Sequence, residues 1–265
     1  MAQTRAVRTI ATTERMQELR GRVALANRVM HHYGLTTYLG HVSARIPGTD
    51  RIVIKARPHV SMDRVRPENL MVIDLGGNIL EASKEYPTIV AEWPLHTELY
   101  KARPDVNCVV HTHQKWCTIF GIAGRAVLPV HHPGMASVAA EPWPIYEESY
   151  EIVVTVQQAR VVAQILGRHG AIHLRTHGMA FVGTDIERAV NDAINGEHEA
   201  EMTWHALLAG TPETISMIYM RPYVDARFAP QDPGARREGV ERGTWENFVW
   251  LDQNVEASRY RAVQL

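Results

Sequence analysis

The run Val109-Val110-His111-Thr112-His113 closes an apolar stretch with two imidazoles two residues apart. In an extended strand residues i and i+2 project to the same face, so His111 and His113 can both reach one small object such as a metal ion. Neutral imidazoles suit zinc, iron, nickel and copper and tolerate manganese. Taken alone, the pair admits a second reading, in which one ring faces solvent and the other is a hydrogen-bonded core histidine. The chain carries 14 histidines, more than packing calls for, and several lie near His111, which adds weight to metal or proton-transfer chemistry.

The elements that must position these rings follow from periodicity and punctuation. Residues 13–33 place Met16, Leu19, Val23, Ala26 and Met30 at helical spacing, with Gly34 where a left-handed cap would end the helix. Short extended pieces at 41–46, 51–56 and 70–74, with Gly76-Gly77-Asn78 before Ile79-Leu80, predict a small antiparallel sheet. A second helix is expected from near Ala91 to Arg103, because Pro94 is tolerated only in a first turn and Pro104 stops the helix. Glu92 then lies at or near that helix N-terminus, and a strand over 107–113 follows. A helical pattern over 150–166 leads through Gly170 to a strand at 171–174, which runs into Arg175-Thr176-His177-Gly178 and puts a third imidazole at a strand end. Thr184 to Glu187 reads as a capping box opening a long helix striped by Ile186, Ala189, Val190, Ala193 and Ile194 and ended by Gly210. Beyond Met220 the composition turns to Arg, Pro, Asp and Gly. The expected division is a domain over 1–220 and a loop-rich arm over 221–265, packed on the core or on a neighbouring subunit.

At 265 residues the chain can build one substantial α/β domain, and its 45% hydrophobic content supplies an ordinary core. A net charge of -1 with scattered Lys and Arg gives no electrostatic case for nucleic acid or an anionic membrane. No apolar run approaches the ~20 residues of a membrane span, and the polar N-terminal stretch does not have the pattern of a secretory leader, so a cytoplasmic location is expected. Cys108 and Cys117 flank the histidine pair; no disulfide is expected between them in a reducing cytosol, and Cys108 reads as strand core.

Four stretches in order resemble the class II aldolase/adducin family: Gly40-His41-Val42-Ser43-Ala44-Arg45, then Ala91-Glu92-Trp93-Pro94-Leu95-His96, then RPDVNCVVHTH ending at His113, and finally Thr176-His177-Gly178. The likeness runs over roughly residues 15–210. It implies a three-layer α/β fold, a central, mainly antiparallel sheet flanked by helices, in a homotetramer with active sites at subunit interfaces. It also implies that His111, His113 and His177 bind one divalent cation per subunit, zinc, manganese, iron or cobalt. Glu92 is implied as a metal ligand at rest and an acid/base once substrate displaces it. The residues themselves agree, since three imidazoles at strand ends leave a coordination position for a substrate. Read only by its place at a helix N-terminus, Glu92 could instead be a charge that suits the helix dipole. His96, one turn on, is expected outside the ligand set, as a packing or supporting residue.

Departures from the family pattern narrow the reading. Sugar-phosphate aldolases of the family have Gly-Asn where this chain has Gly40-His41, a Ser-Gly-rich turn at Lys55-Ala56-Arg57-Pro58-His59, and paired serines at Ile89-Val90. Hydroxyls and glycine amides cradle a phosphate, and here other side chains replace them. The same positions are similar to a branch acting on hydroxylated aromatic carboxylates, in which Gly-His is usual. The resemblance therefore implies a metal-dependent carbon-carbon lyase, a decarboxylase of a dihydroxyphthalate-like or hydroxypyridine-dicarboxylate-like small molecule. Two alternatives share its ligands: an aldolase acting on a non-phosphorylated hydroxy acid or aldehyde, and an iron-dependent oxygenase. In the decarboxylase, carbon dioxide leaves a metal-chelated substrate and His41 or Glu92 supplies the proton to the ring carbon. Arg45, Lys55, Arg57 and His59, on segments facing the family's substrate pocket, are the candidate substrate contacts, a guanidinium fork suiting a second carboxylate. Tyr223, Trp245 and Phe248 in the arm are expected to anchor packing.

Overall fold

The computed structural model describes residues 2–227 and 240–254. In chain order the elements are α1 (Ala2–His32), β1 (His41–Arg45), β2 (Arg51–Arg57), β3 (Leu70–Asp74), β4 (Ile79–Glu81), β5 (Thr88–Ile89), α2 (Trp93–Ala102), β6 (Cys108–Thr112), α3 (Lys115–Ala123) and α4 (Pro133–Ala136). They continue with β7 (Ile145–Tyr146), α5 (Val156–Leu166), β8 (Ala171–Leu174), β9 (Gly178–Gly183), α6 (Ile186–Ala209), α7 (Met217–Asp225) and α8 (Val240–Gln253). The strands form one sheet in the order β4-β3-β2-β1-β6-β9-β8-β7, with β5 paired to β2 off this path. All pairings are antiparallel except β7 with β8.

The two-residue alternation of the strands divides the core into two. Val42, Ala44, Cys108 and Val110 point to the face covered by α1, α3 and α6, whereas Val109, Ile52, Ile54 and Val182 point to the face covered by α2 and α5. The result is an α/β fold of three layers. Each fully buried Val, Leu or Ile contributes roughly 1.5–3 kcal/mol, so a one-residue slip of β6, which would exchange its two faces, is strongly disfavoured. The register therefore fixes His111 on the α2 side, beside Ser43 and His41 of β1, opposite the face that holds Val110.

Several sequence expectations change. The helix anticipated over 150–166 begins only at Val156, because Thr155 caps it: its hydroxyl accepts from Gln158 N at 3.2 Å while Gln158 Oε1 accepts from Thr155 N at 3.1 Å. The capping box sought at Thr184 to Glu187 is absent. Asp185 is the N-cap, accepting from Arg188 N at 2.8 Å, and Glu187 instead pairs with Arg22 of α1. Residues 114–149, given no element above, hold α3, α4 and β7. The arm is less irregular than its composition indicates, since α8 lies along α1, tied by Arg28 to both carboxylate oxygens of Asp252 at 2.7 and 2.8 Å and by His32 at 3.1 Å. Phe248 is buried and Trp245 lies under the Arg22 guanidinium, while Tyr223 is half exposed. Residues 228–239 and 255–265 of the arm lie outside the described residues. No described helix is long and apolar enough to cross a membrane.

Candidate metal centre

Three elements bring four side chains to one point. β6 supplies His111 and, just past its end, His113, whose amide donates to Leu35 O at 3.2 Å. The turn between β8 and β9 supplies His177; Thr176 there adopts φ 63°, and His177 N closes back on Leu174 O at 2.9 Å. Gly178 follows because a Cβ at that position would meet Thr112 O at 2.2 Å, so the Thr-His-Gly motif is what lets β9 start hard against β6. At the other side of β6, Gly40 sits at φ 91° with room for no Cβ beside Thr36 Oγ1 and His111 O. Glu92 is the N-cap residue of α2, yet its carboxylate makes no capping bond. Its charge is aimed at the histidines instead.

The ligand atoms of Glu92, His111, His113 and His177 all lie within 4.8 Å of one another. His111 Nε2 is 3.0 Å from His113 Nε2 and 3.5 Å from Glu92 Oε2, and His177 Nδ1 is 3.8 Å from Glu92 Oε1. His111 Nδ1 donates to Met179 O at 2.9 Å, which fixes the tautomer and turns the Nε2 lone pair inward. Burial and the neighbouring imidazoles hold His113 down at about 3, and burial, with His111, holds His177 at about 4. Burial opposes the Glu92 charge, but His111 and His41 outweigh it and keep this carboxyl well below the usual range. Glu92 Oε1 and His177 Nδ1 are buried without any hydrogen-bond partner. Buried lone pairs facing one another are costly unless a cation joins them, and three imidazoles with one carboxylate are the donor set of a divalent transition metal. The residues present fit such an ion.

A second line of groups runs away from this cluster beneath the sheet. His41 Nε2 stands 3.5 Å from Glu92 Oε2; its Nδ1 meets His96 Nε2 at 2.7 Å, His96 Nδ1 meets Ser43 Oγ at 2.7 Å, and Ser43 Oγ meets Tyr100 Oη at 2.9 Å. All four side chains are buried. Sequence reasoning left Ser43 and Tyr100 out, although Glu92, His96 and Tyr100 recur every four residues on one helix face and Ser43 shares a strand face with His41.

The proposed substrate contacts separate. Lys55 is wholly buried on β2, its ammonium donating to Tyr38 O at 2.8 Å, and its charge acts on both His41 and His59; burial pulls it down to about 8. His59 is exposed, edge-on to the Tyr38 ring, and near enough to Glu92 to feel its charge. Arg57 is partly buried and donates to Ile89 O at 3.1 Å. The structure does not bring Arg45 to the cluster. It stands at the far end of β1, donating to Tyr100 O at 2.8 Å and Val106 O at 3.3 Å, and borders a separate cavity of about 790 Å³ that contains none of the four ligands.

Fold and site together define a member of the class II aldolase and adducin family. Residues 21–204 match the class II aldolase and adducin N-terminal domain, and the chain belongs to that family. It is 32% identical to the 3,4-dihydroxyphthalate decarboxylase of Arthrobacter keyseri over 200 residues, 71% of this chain and 78% of that one. L-fuculose 1-phosphate aldolase from Glaciozyma antarctica PI12 superposes with a TM-score of 0.74 at 18% identity, covering 94% of each chain. An aldolase II superfamily protein from Pseudomonas syringae gives 0.73 at 20% identity, covering 92% of this chain and 94% of its own. These two likenesses concern the fold.

Proposed function

We propose that this chain is a divalent-metal-dependent decarboxylase of a hydroxylated aromatic dicarboxylate, of the dihydroxyphthalate or hydroxypyridine-dicarboxylate kind. The observation that carries the reading is the convergence of Glu92, His111, His113 and His177, with two buried atoms left unpartnered, and with the buried Lys55 ammonium near enough to act on His41. The decarboxylase relative and the Gly40-His41 pair support the choice of reaction over sugar-phosphate cleavage. A bound ion would act as a Lewis acid on a chelating hydroxyl and carboxylate, drawing off the electrons released when the carbon-carbon bond breaks.

The remaining work falls to the chain's own groups. Lys55 offers a fixed positive charge, held from behind by Tyr38 O, for the carboxylate that is not lost. His59 and Arg57 flank the same strand end. When carbon dioxide leaves, the ring carbon gains the electron pair of the broken bond and must take up one proton. Glu92 and His41 are the groups that can carry it there, and His96 holds the His41 ring by its far nitrogen. Incubation of the zinc-, manganese-, iron- or cobalt-loaded protein with a panel of ortho-hydroxylated aromatic dicarboxylates should release carbon dioxide from at least one, with chelator abolishing the release. A fully loaded protein inert across the panel, or one yielding an aldehyde or ketone from a hydroxy-acid panel, would overturn the reading.

A further inference from the structure

Away from this centre, the segment 128–131 is bonded firmly to the middle of α6. Leu128 N donates to Thr203 Oγ1 at 3.0 Å while that hydroxyl donates back to Leu128 O at 3.0 Å. Val130 N and His131 N both donate to Glu199 Oε2, at 3.0 and 3.2 Å. This bonding sets His131 opposite His198 of α6, whose Nε2 stands 3.1 Å from His131 Nδ1, with ring centroids 4.8 Å apart. The separation repeats the 3.0 Å between His111 Nε2 and His113 Nε2 in the first centre. An ion at the usual ~2.0–2.1 Å from two nitrogens 3.1 Å apart would subtend roughly 100°, between the octahedral and tetrahedral angles.

The surroundings supply what a two-imidazole site needs. Asn195 and Glu201 stand three residues before and after His198, on the same helix face. Both border, with His131 and His198, a cavity of about 770 Å³ that is closed on its other side by Asn247 and Phe248 of α8. The Asn195 and Glu201 side chains make no hydrogen bond or ion pair among the described residues, and the Glu201 charge acts on His198. None of the four ligands of the first centre borders this cavity.

We propose that His131 and His198 form a second divalent transition-metal site, its remaining positions taken by water on the side of Asn195 and Glu201, suited to zinc, nickel or copper. An ion there joins the 128–131 segment to α6. The site is independent of the reaction assigned to the first centre.

Equilibrium dialysis of the full chain against zinc tests it. The wild type should hold two equivalents, His198→Asn and His131→Asn one each, and His111→Ala one, with His198→Asn retaining the activity of the first centre. In the wild type, zinc beyond the first equivalent should also protect His131 and His198 from acylation by diethyl pyrocarbonate, read by peptide mass spectrometry, which needs no variant to fold. A single equivalent in the wild type, a zinc content unaltered by His198→Asn, or unprotected His131 and His198 would show that the two rings share only a hydrogen bond.

Discussion

Two of the four candidate ligands of the first centre are positioned by something other than a metal. His111 is oriented by Met179 O, and Glu92 by its place at the start of α2. His111→Ala should therefore remove the equivalent of metal bound at this centre while the sheet persists, measured by metal analysis beside circular dichroism; unchanged metal content would contradict the assignment. Lys55→Met keeps the volume and removes the charge, so KM for a diacid should rise about 10- to 100-fold, the equivalent of a charged hydrogen bond, with metal content unaltered. The Lys55 charge is present below about 8 and lost above it, so kcat/KM should fall as pH rises through that value in the wild type and lose this limb in Lys55→Met. At this scale the sequence was most legible where spacing is strict. His111, His113, His177 and Glu92 were named through the family resemblance, with the strand ends agreeing, and the structure brings the four together, whereas Arg45 could not be placed, because a strand residue's position says nothing about which end of a long side chain finds carbonyls to bind. Ser43 and Tyr100 lay on readable faces, but a serine or tyrosine on a buried face has no signature that separates a hydrogen-bonded line from packing.

Two elements carry consequences that can be measured. β9 begins in contact with β6 at a point where no side chain fits, so Gly178→Ala should push the strand away from Thr112, lowering stability by about 1–3 kcal/mol in a denaturant titration and weakening metal retention with it. α8 is anchored through Asp252, which Arg28 and His32 hold down at about 2 against the opposing effect of burial. Because the folded value lies below the ordinary 3.8, this carboxylate contributes stability above pH ~4 and loses it as pH falls toward about 2. Asp252→Asn should cost on the order of 1–2 kcal/mol at neutral pH and flatten the acid limb of the stability profile; an unchanged acid limb would show that α8 is held by its apolar face alone. The elements themselves were read well where apolar periodicity was long, as in α6 and in α1 from residue 13 on, although α1 already begins at Ala2. They were missed where a short piece, such as β7 or α4, owes its form to the sheet edge and to α6 rather than to its own residues.

Over the whole molecule the sheet works as a level. It separates a large apolar core against α1, α3 and α6 from a second core on the α2 and α5 side, at whose edge the buried polar line and the four candidate metal ligands sit. Trp204, Leu207 and Leu208 on α6 and Ile218 and Tyr219 on α7 expose large apolar side chains of the kind that self-association covers. Light scattering should accordingly give a mass that is a multiple of the chain's 29.9 kDa. A metal that binds only the folded state adds about 2.7 kcal/mol at a hundredfold excess over its Kd, so unfolding should move to lower temperature on chelation and recover on reloading. Removal of carbon dioxide from an aromatic acid is the role proposed for this metal centre. It is tested most directly by following carbon dioxide release from 3,4-dihydroxyphthalate with metal-loaded wild type and with His111→Ala. Stoichiometric release is expected from the wild type, none after chelation and none from the variant; release that persists in His111→Ala, or none from the loaded wild type with this or any related ortho-hydroxy diacid, would contradict that role.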